Sequence, residues 1–230
     1  MSERPERARR LLYGRRKGPR LSAHQQALRE TLLPRLALSL EAGRDSKTYF
    51  DAPVDDVWLE VGFGAGEHLL WQARAHPRIG LIGAEPYISG TAKLLSKIEG
   101  LPNIRIHEDD ARDIVEALPD AGIGRFFILF PDPWHKTRHH KRRFIQTEML
   151  DQLARILKPG AELRFASDDA GYVAYALERL MAHPAFAWTA SGPADWKTRT
   201  ADWPATRYEA KELHGRPAFL RFVRTDKVVP

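Results

Sequence analysis

The chain has no cysteine in 230 residues. That excludes a disulfide framework, a thiolate nucleophile and any cysteine-ligated metal, and it fits a reducing compartment. No apolar run approaches the roughly 18 residues that suggest a membrane span, and no signal or anchor precedes the body, so a soluble, cytoplasmic protein without a membrane partner is expected. Internal repeats, low-complexity segments and a dividing linker are also missing. With 43% hydrophobic and 29% charged residues the chain can bury a sizeable core, in one or two domains at most.

Acidic residues are scarce at the N-terminus. Residues 1–20 hold eight Lys or Arg against Glu3 and Glu6, which equals the whole net charge of +6, while residues 21–230 are formally neutral. Such a block suits an arm for nucleic acid or an anionic membrane, or a solvated terminus. The two Glu and the single Ser argue against a mitochondrial presequence. We therefore expect a flexible basic tail over 1–20 and a single domain over 21–230.

From residue 57 short apolar runs alternate with helical stretches. The runs are 57–63, 79–86, 103–110, 125–133 and 161–169, and the helices fall at 67–75, 90–98, 111–118, 143–157 and 171–182. Ser22 to Leu40 reads as short helical pieces interrupted by Pro34. This rhythm predicts an α/β fold, a mostly parallel sheet with helices on both faces. The alternating run at 218–225 is expected as an added edge strand.

In an open parallel sheet the ligand crevice lies outside the carboxyl ends of the strands. Five strands here end in acids: Glu60, Glu85, Asp109 with Asp110, Asp132, and Asp168 with Asp169. One such acid is usually a loop residue or a helix cap. Five mutually repelling ones point to a ligand that needs several acceptors. After Glu60 come Gly62, Gly64 and Gly66, where absent side chains let a ligand approach the backbone. A dinucleotide loop, G-x-G-x-x-G, would need glycine at 67, which is Glu67. An acid in the glycine loop suits a cationic ligand such as S-adenosylmethionine (SAM) better than a pyrophosphate, and Glu85 can accept both hydroxyls of its ribose.

The fourth run passes into FPDPWHKTRHHKRR. Pro131 and Pro133 fix the backbone around Asp132, Trp134 offers a stacking face for a base, and Lys136, Arg138, Lys141, Arg142 and Arg143 can hold phosphates. The alternatives are a core tryptophan, a solvated loop, and a metal cluster of His135, His139 and His140, for which paired acids nearby are lacking.

On these segments the chain closely resembles the bacterial tRNA (guanine-N7-)-methyltransferases, a Rossmann-like class of SAM-dependent enzyme. The resemblance runs from YGRRKGPRLSAHQQ through LEVGFGAGEHL, GAEPYISG, FPDPWHKTRHHKRR and FASD to TRYEAKELHGRPAFLRFVR. FPDPWHK followed by KRR, with the late TRYE element, is its most restrictive part. The resemblance implies cofactor contacts at Glu60, Gly62, Gly64, Gly66, Glu85, Asp110 and Asp132, with Asp132 also the catalytic residue. It implies substrate contacts at Lys136, Asp168, Thr206, Arg207, Tyr208 and Glu209. An RNA-contacting segment would comprise Arg138, His139, His140, Lys141, Arg142 and Arg143. The implied reaction is methylation of a guanosine in the tRNA variable loop, at position 46 in tRNA numbering, by a monomer or homodimer without a metal. Competing readings are a SAM enzyme acting on an exocyclic base nitrogen and a non-enzymatic RNA-binding protein. The first often has Pro-Pro-aromatic after its acid, whereas Asp132 is followed by one proline and Trp134. The second would be expected to have eroded glycines or acids.

Overall fold

The computed structural model describes residues 12–206, 209 and 215–226. Ser22 opens α1 (Ala23–Thr31) with a capping box, its hydroxyl accepting from the Gln25 amide and the Gln25 side chain from the Ser22 N–H. Pro34 tolerates only the start of the short α2 (Leu33–Leu36) that follows. Strands and helices then alternate: β1 (Asp56–Val61), α3 (Glu67–Ala75), β2 (Ile79–Ala84), α4 (Ile88–Leu95), β3 (Ile104–His107), α5 (Ala111–Ala117), β4 (Ile123–Leu129), α6 (Thr147–Ile156), β5 (Leu157–Ser167) and α7 (Ala170–Ala182). The last elements are β6 (Phe186–Trp188), α8 (Ala194–Lys197) and β7 (Ala218–Arg224).

The sheet has the order β3-β2-β1-β4-β5-β7-β6. β1 to β5 pair in parallel, and β7 pairs antiparallel to both β5 and β6. Alternate side chains serve opposite faces, as the strand period requires. Val57, Leu59 and Val61 join the core beneath α5, α6 and α7, while Trp58 packs with α3 and α4. Leu59 has no solvent exposure, so truncation to Ala would cost about 2–5 kcal/mol through lost burial and the cavity left behind. Strand order reverses between β1 and β4. That makes the crevice above their carboxyl ends the ligand position for this topology.

Three details depart from expectation. The 218–225 run is not an edge strand: β7 lies inside the sheet, and the edge is the three-residue β6, too short to register as an alternating run. α6 begins at Thr147 instead of 143, because Arg143 and Gln146 take extended backbone (ψ of 140° and 157°); the Phe144 and Ile145 amides between them donate to the Tyr172 hydroxyl. β5 starts four residues early, with Leu157 already paired to Ile123.

The inner part of the basic N-terminal segment is packed on the body. The Arg16 carbonyl accepts from the Ile88 amide at 3.0 Å, and its guanidinium pairs with Asp109 at 2.8 Å. A Cβ on Gly18 would meet the Ser89 hydroxyl at 2.2 Å, so the chain passes close to the start of α4.

Candidate active site

The turn after β1 is built for close approach. Gly62 and Gly66 have φ of +73° and +72°, which an L side chain adopts only with strain. At Gly66 a Cβ would also strike Leu94 at 2.5 Å; at Gly62 it would meet nothing within 4 Å, so that side of the turn opens on empty space. Between them the Gly64 amide donates to Glu85 Oε2 at 2.7 Å, and the Tyr87 amide to Oε1 at 2.9 Å. Glu85 is thereby locked beneath the glycine turn. Burial raises its pKa above the ordinary carboxyl value; the two amides oppose that, and the carboxylates of Asp132 and Glu60 push it further up. Three of the strand-end acids therefore share one electrostatic neighbourhood.

Glu60 is 2% exposed and accepts from His68 Nδ1 at 2.7 Å. Asp110 caps α5 through the Arg112 amide and is also gripped by the Arg112 guanidinium at 2.9 Å. Beside the turn lies a cavity of about 660 Å³ whose walls include Tyr13, Gly62, Pro86, Asp110, Arg112 and Arg142. That volume falls within the usual ~300–1,000 Å³ of small-molecule sites. Carboxylates at the end of β1 and under the turn, glycine backbone facing open space and an adjacent cavity make a donor set that fits SAM, a cation carrying an adenosine ribose.

The segment after β4 is held in an unusual backbone. Phe130 and Trp134 take φ of +52° and +47°, rare for aromatic residues, and bracket Pro131-Asp132-Pro133. Asp132 is exposed, with Oδ2 3.8 Å from where a Cβ on Gly14 would stand, so the N-terminal segment borders it. The Arg142 guanidinium lies 4.4 Å from the Tyr13 ring centre and 4.9 Å from that of Trp134. The stacking face expected of Trp134 is thus partly taken up by Arg142.

The basic segment divides in two. Lys136, Arg138 and Lys141 are exposed, and His139 and His140 half-buried against Trp134 and Tyr175. Arg143, expected as an RNA contact, is corrected: it is 4% exposed, donates from Nε to the Pro133 carbonyl at 2.8 Å, and lies 4.8 and 4.5 Å from the Tyr172 and Tyr175 ring centres. It braces the Asp132 turn from inside. Gln146 completes the brace, donating to the His140 and Arg143 carbonyls while accepting from Tyr175. No group of three or more metal-ligating side chains occurs among the described residues.

Of the paired acids after β5, Asp169 is committed, capping α7 by accepting from the Tyr172 amide at 2.6 Å and meeting His135 at 3.1 Å. Asp168 is half-buried, its carbonyl 3.3 Å from where a Cβ on Gly215 would stand. Thr206 lines a small cavity with Glu60, Gly62 and His68, and its hydroxyl accepts from the Glu209 amide. Glu209 pairs with Arg199 at 2.6 Å. Arg207 and Tyr208 lie outside the described residues. Tyr13, His68 and Arg112 join the site without having been anticipated; only their nearness to YGRRK, the glycine loop and Asp110 hinted at them.

A methyltransferase family model matches residues 55–219. Among curated relatives, the tRNA (guanine-N(7)-)-methyltransferase of Rhodospirillum rubrum is 53% identical over 92% of this chain and 87% of its own length. That of Brucella anthropi is 48% identical over 92% and 94%. Among solved structures, the 16S rRNA methyltransferase KamB superposes with a TM-score of 0.52 at 20% identity, covering 80% of this chain and 95% of that one. Antibiotic-resistance methyltransferase Kmr gives 0.51 at 20% identity over 80% and 98%, a likeness of fold. At these identities and coverages, the chain belongs to the tRNA (guanine-N7-)-methyltransferase family.

Proposed function

We propose that this protein methylates N7 of a guanosine in the tRNA variable loop, position 46 in tRNA numbering, using SAM, and that it does so in the cytoplasm. The observation that carries the reading is the convergence, at the switch point between β1 and β4, of the acid-lined glycine turn with the rigid Asp132 turn and its basic flank. Bound SAM supplies an electrophilic methyl on a sulfonium. Glu60 and Glu85 are the residues to hold its cationic and ribose ends, with Asp110 beside the cavity.

Guanine N7 has an in-plane lone pair, so its attack needs no proton removed and no strong base. What the protein contributes is alignment and electrostatics. Asp132, presented by two prolines and braced by Arg143, accepts from the guanine N1 and N2 hydrogens, and Asp168 is the second carboxylate available to the base. Both stabilise the positive charge that develops on the purine. Lys136, Arg138 and Lys141 hold the flanking phosphates, the sequence-independent part of binding.

The test is transfer of labelled methyl to tRNA transcripts with and without guanine in the variable loop, the product located by aniline cleavage. Asp132→Ala should lower kcat about a hundredfold or more, the scale of losing one aimed electrostatic contact, with folding intact. Transfer that ignores removal of that guanine refutes the assignment. The exocyclic-nitrogen reading is disfavoured because Asp132 is followed by one proline and Trp134 and not by Pro-Pro-aromatic.

A further inference from the structure

His68 lies in the first turn of α3, two residues after Gly66 of the glycine loop, and is 3% exposed. Its two ring nitrogens have different partners: Nδ1 is 2.7 Å from Glu60 Oε2, and Nε2 is 3.1 Å from Gln72 Nε2. The Gln72 amide nitrogen also stands 3.0 Å from the Asp202 carbonyl. A carbonyl only accepts, so the Gln72 atom facing it is the NH2 group, and its second hydrogen points to His68 Nε2. Nε2 must then present its lone pair. The ring proton is left on Nδ1, where it is donated to Glu60. The hydrogen-bond pattern therefore sets the tautomer.

The chain of contacts continues outward. Asp202 is fixed by Arg164 at 2.7 Å, Arg125 at 3.2 Å and the Thr200 hydroxyl at 2.6 Å. It belongs to the segment that carries Trp203, 1% exposed, and Thr206, which faces Glu60 and His68 across a small cavity. The edge of the His68 ring packs on Phe127 of β4 at 4.6 Å between ring centres. Imidazole, carboxylate and amide thus form one buried row from the segment around residue 202 to the acid at the end of β1.

We propose that His68 is a positioning residue for the transfer reaction. By donating from Nδ1 it holds the Glu60 carboxylate in the orientation that receives the cationic end of SAM, and Gln72 fixes that tautomer while tying the 198–206 segment to the same acid. Hydrogen-bonded partners behind a ligand-holding group commonly matter about as much as the group itself, because they fix its rotamer and its charge distribution. The inference rests on Glu60 being a cofactor acid, as proposed above.

The test uses the full chain. Long-range 15N–1H spectra of the ligand-free protein should show His68 protonated on Nδ1; an Nε2–H ring overturns the proposal. SAM affinity by titration calorimetry should fall about tenfold or more in His68→Leu, the scale of losing a hydrogen bond to a charged group. In His68→Asn, whose amide N–H stands where Nδ1 does, affinity should stay within about threefold of the parent. KM for SAM should follow these changes more than kcat does. Folded His68→Leu with unchanged SAM affinity, or His68→Asn as damaging as His68→Leu, overturns the role. Should His68→Leu not fold, Gln72→Leu decides: it should mix the two tautomers and weaken SAM several-fold, and an unchanged ring and affinity refute the proposal. Glu60→Gln separates the two readings. Normal SAM binding in Glu60→Gln defeats the cofactor-acid assignment, whereas impaired binding there with normal binding in His68→Leu defeats only this inference.

Discussion

Arg143 is the residue at which a surface reading and a structural reading of the basic segment give opposite results. In Arg143→Ala the Pro133 carbonyl loses its donor, a hydrogen bond to a charged group of about 1.5–3 kcal/mol. The guanidinium also leaves its place against Tyr172 and Tyr175, a desolvated cation–π arrangement of about 2 kcal/mol. Together these come to about 3–5 kcal/mol, a large part of the ~5–15 kcal/mol that keeps a domain folded. For a chain of this length the melting temperature should drop by roughly 6–20 °C. Arg143→Lys should recover little, because an ammonium lacks the planar fork that fits between the rings. Thermal denaturation monitored by near-ultraviolet circular dichroism, with tRNA affinity measured at a temperature where both proteins are folded, separates the possibilities. If Arg143→Ala melts with the parent and only tRNA affinity suffers, Arg143 is a phosphate contact and the brace is wrong.

Arg138→Ala and Lys141→Ala, both exposed, should leave melting unchanged, weaken tRNA binding and shallow its salt dependence by about one counterion each. Removing residues 1–11 should weaken tRNA binding and spare SAM, whereas removing 1–18 should weaken SAM as well, because Tyr13 walls the cavity and Arg16 pairs with Asp109; calorimetry with SAM on both truncations checks this, and equal SAM affinity contradicts it. Burial raises the pKa of Asp202, but hydrogen bonds from Arg164 and Thr200 and the charge of Arg125 outweigh it and hold the pKa below the ordinary 3.8. Its stabilising contribution is present above that pH and is lost as pH falls toward the depressed value, so the stability gap between the parent and Asp202→Asn should close in acid. Glu85 runs the other way. Chiefly because of burial its folded-state pKa is raised above 4.5, so the stability of the parent relative to Glu85→Gln is greatest below pH 4.5 and should decline as pH rises through the raised value.

The architecture was readable because its signals are local. Each parallel strand is buried on both faces and reads as an apolar run, and each ends where the chain turns with glycine, proline or an acid. Glu60, Glu85, Asp110 and Asp132 announced themselves by being acids at strand ends, an arrangement that costs stability without a ligand. What the pattern could not convey was partnership across distance. His68 directly precedes the buried Leu69 and Leu70 of α3, and only the fold shows that one nitrogen meets Glu60 and the other Gln72. Arg143 looks like its neighbours in KRR until the Tyr172 and Tyr175 rings enclose it. β6 is three residues long and owes its existence to β7, some thirty residues later.

The same distinction changes what the positive charge means. Sequence counting finds +6 in residues 1–20, +5 in 135–143 and +3 in 207–230, against −8 elsewhere, and assigns the first two blocks to RNA. In the fold Arg16 is paired with Asp109, Arg142 stands between Tyr13 and Trp134, Arg143 is buried, and Arg224 donates to the Ala154 carbonyl. These arginines build the site and fasten the sheet, so their charges are already engaged within the protein before RNA arrives. Exposed cations with that role among the described residues of the first two blocks are Arg15, Lys17, Arg20, Lys136, Arg138 and Lys141. The salt dependence of tRNA binding should therefore be shallower than the charge count suggests. A slope that matched the full count would mean that these engaged arginines are released on binding, Arg143 and with it the Asp132 turn included.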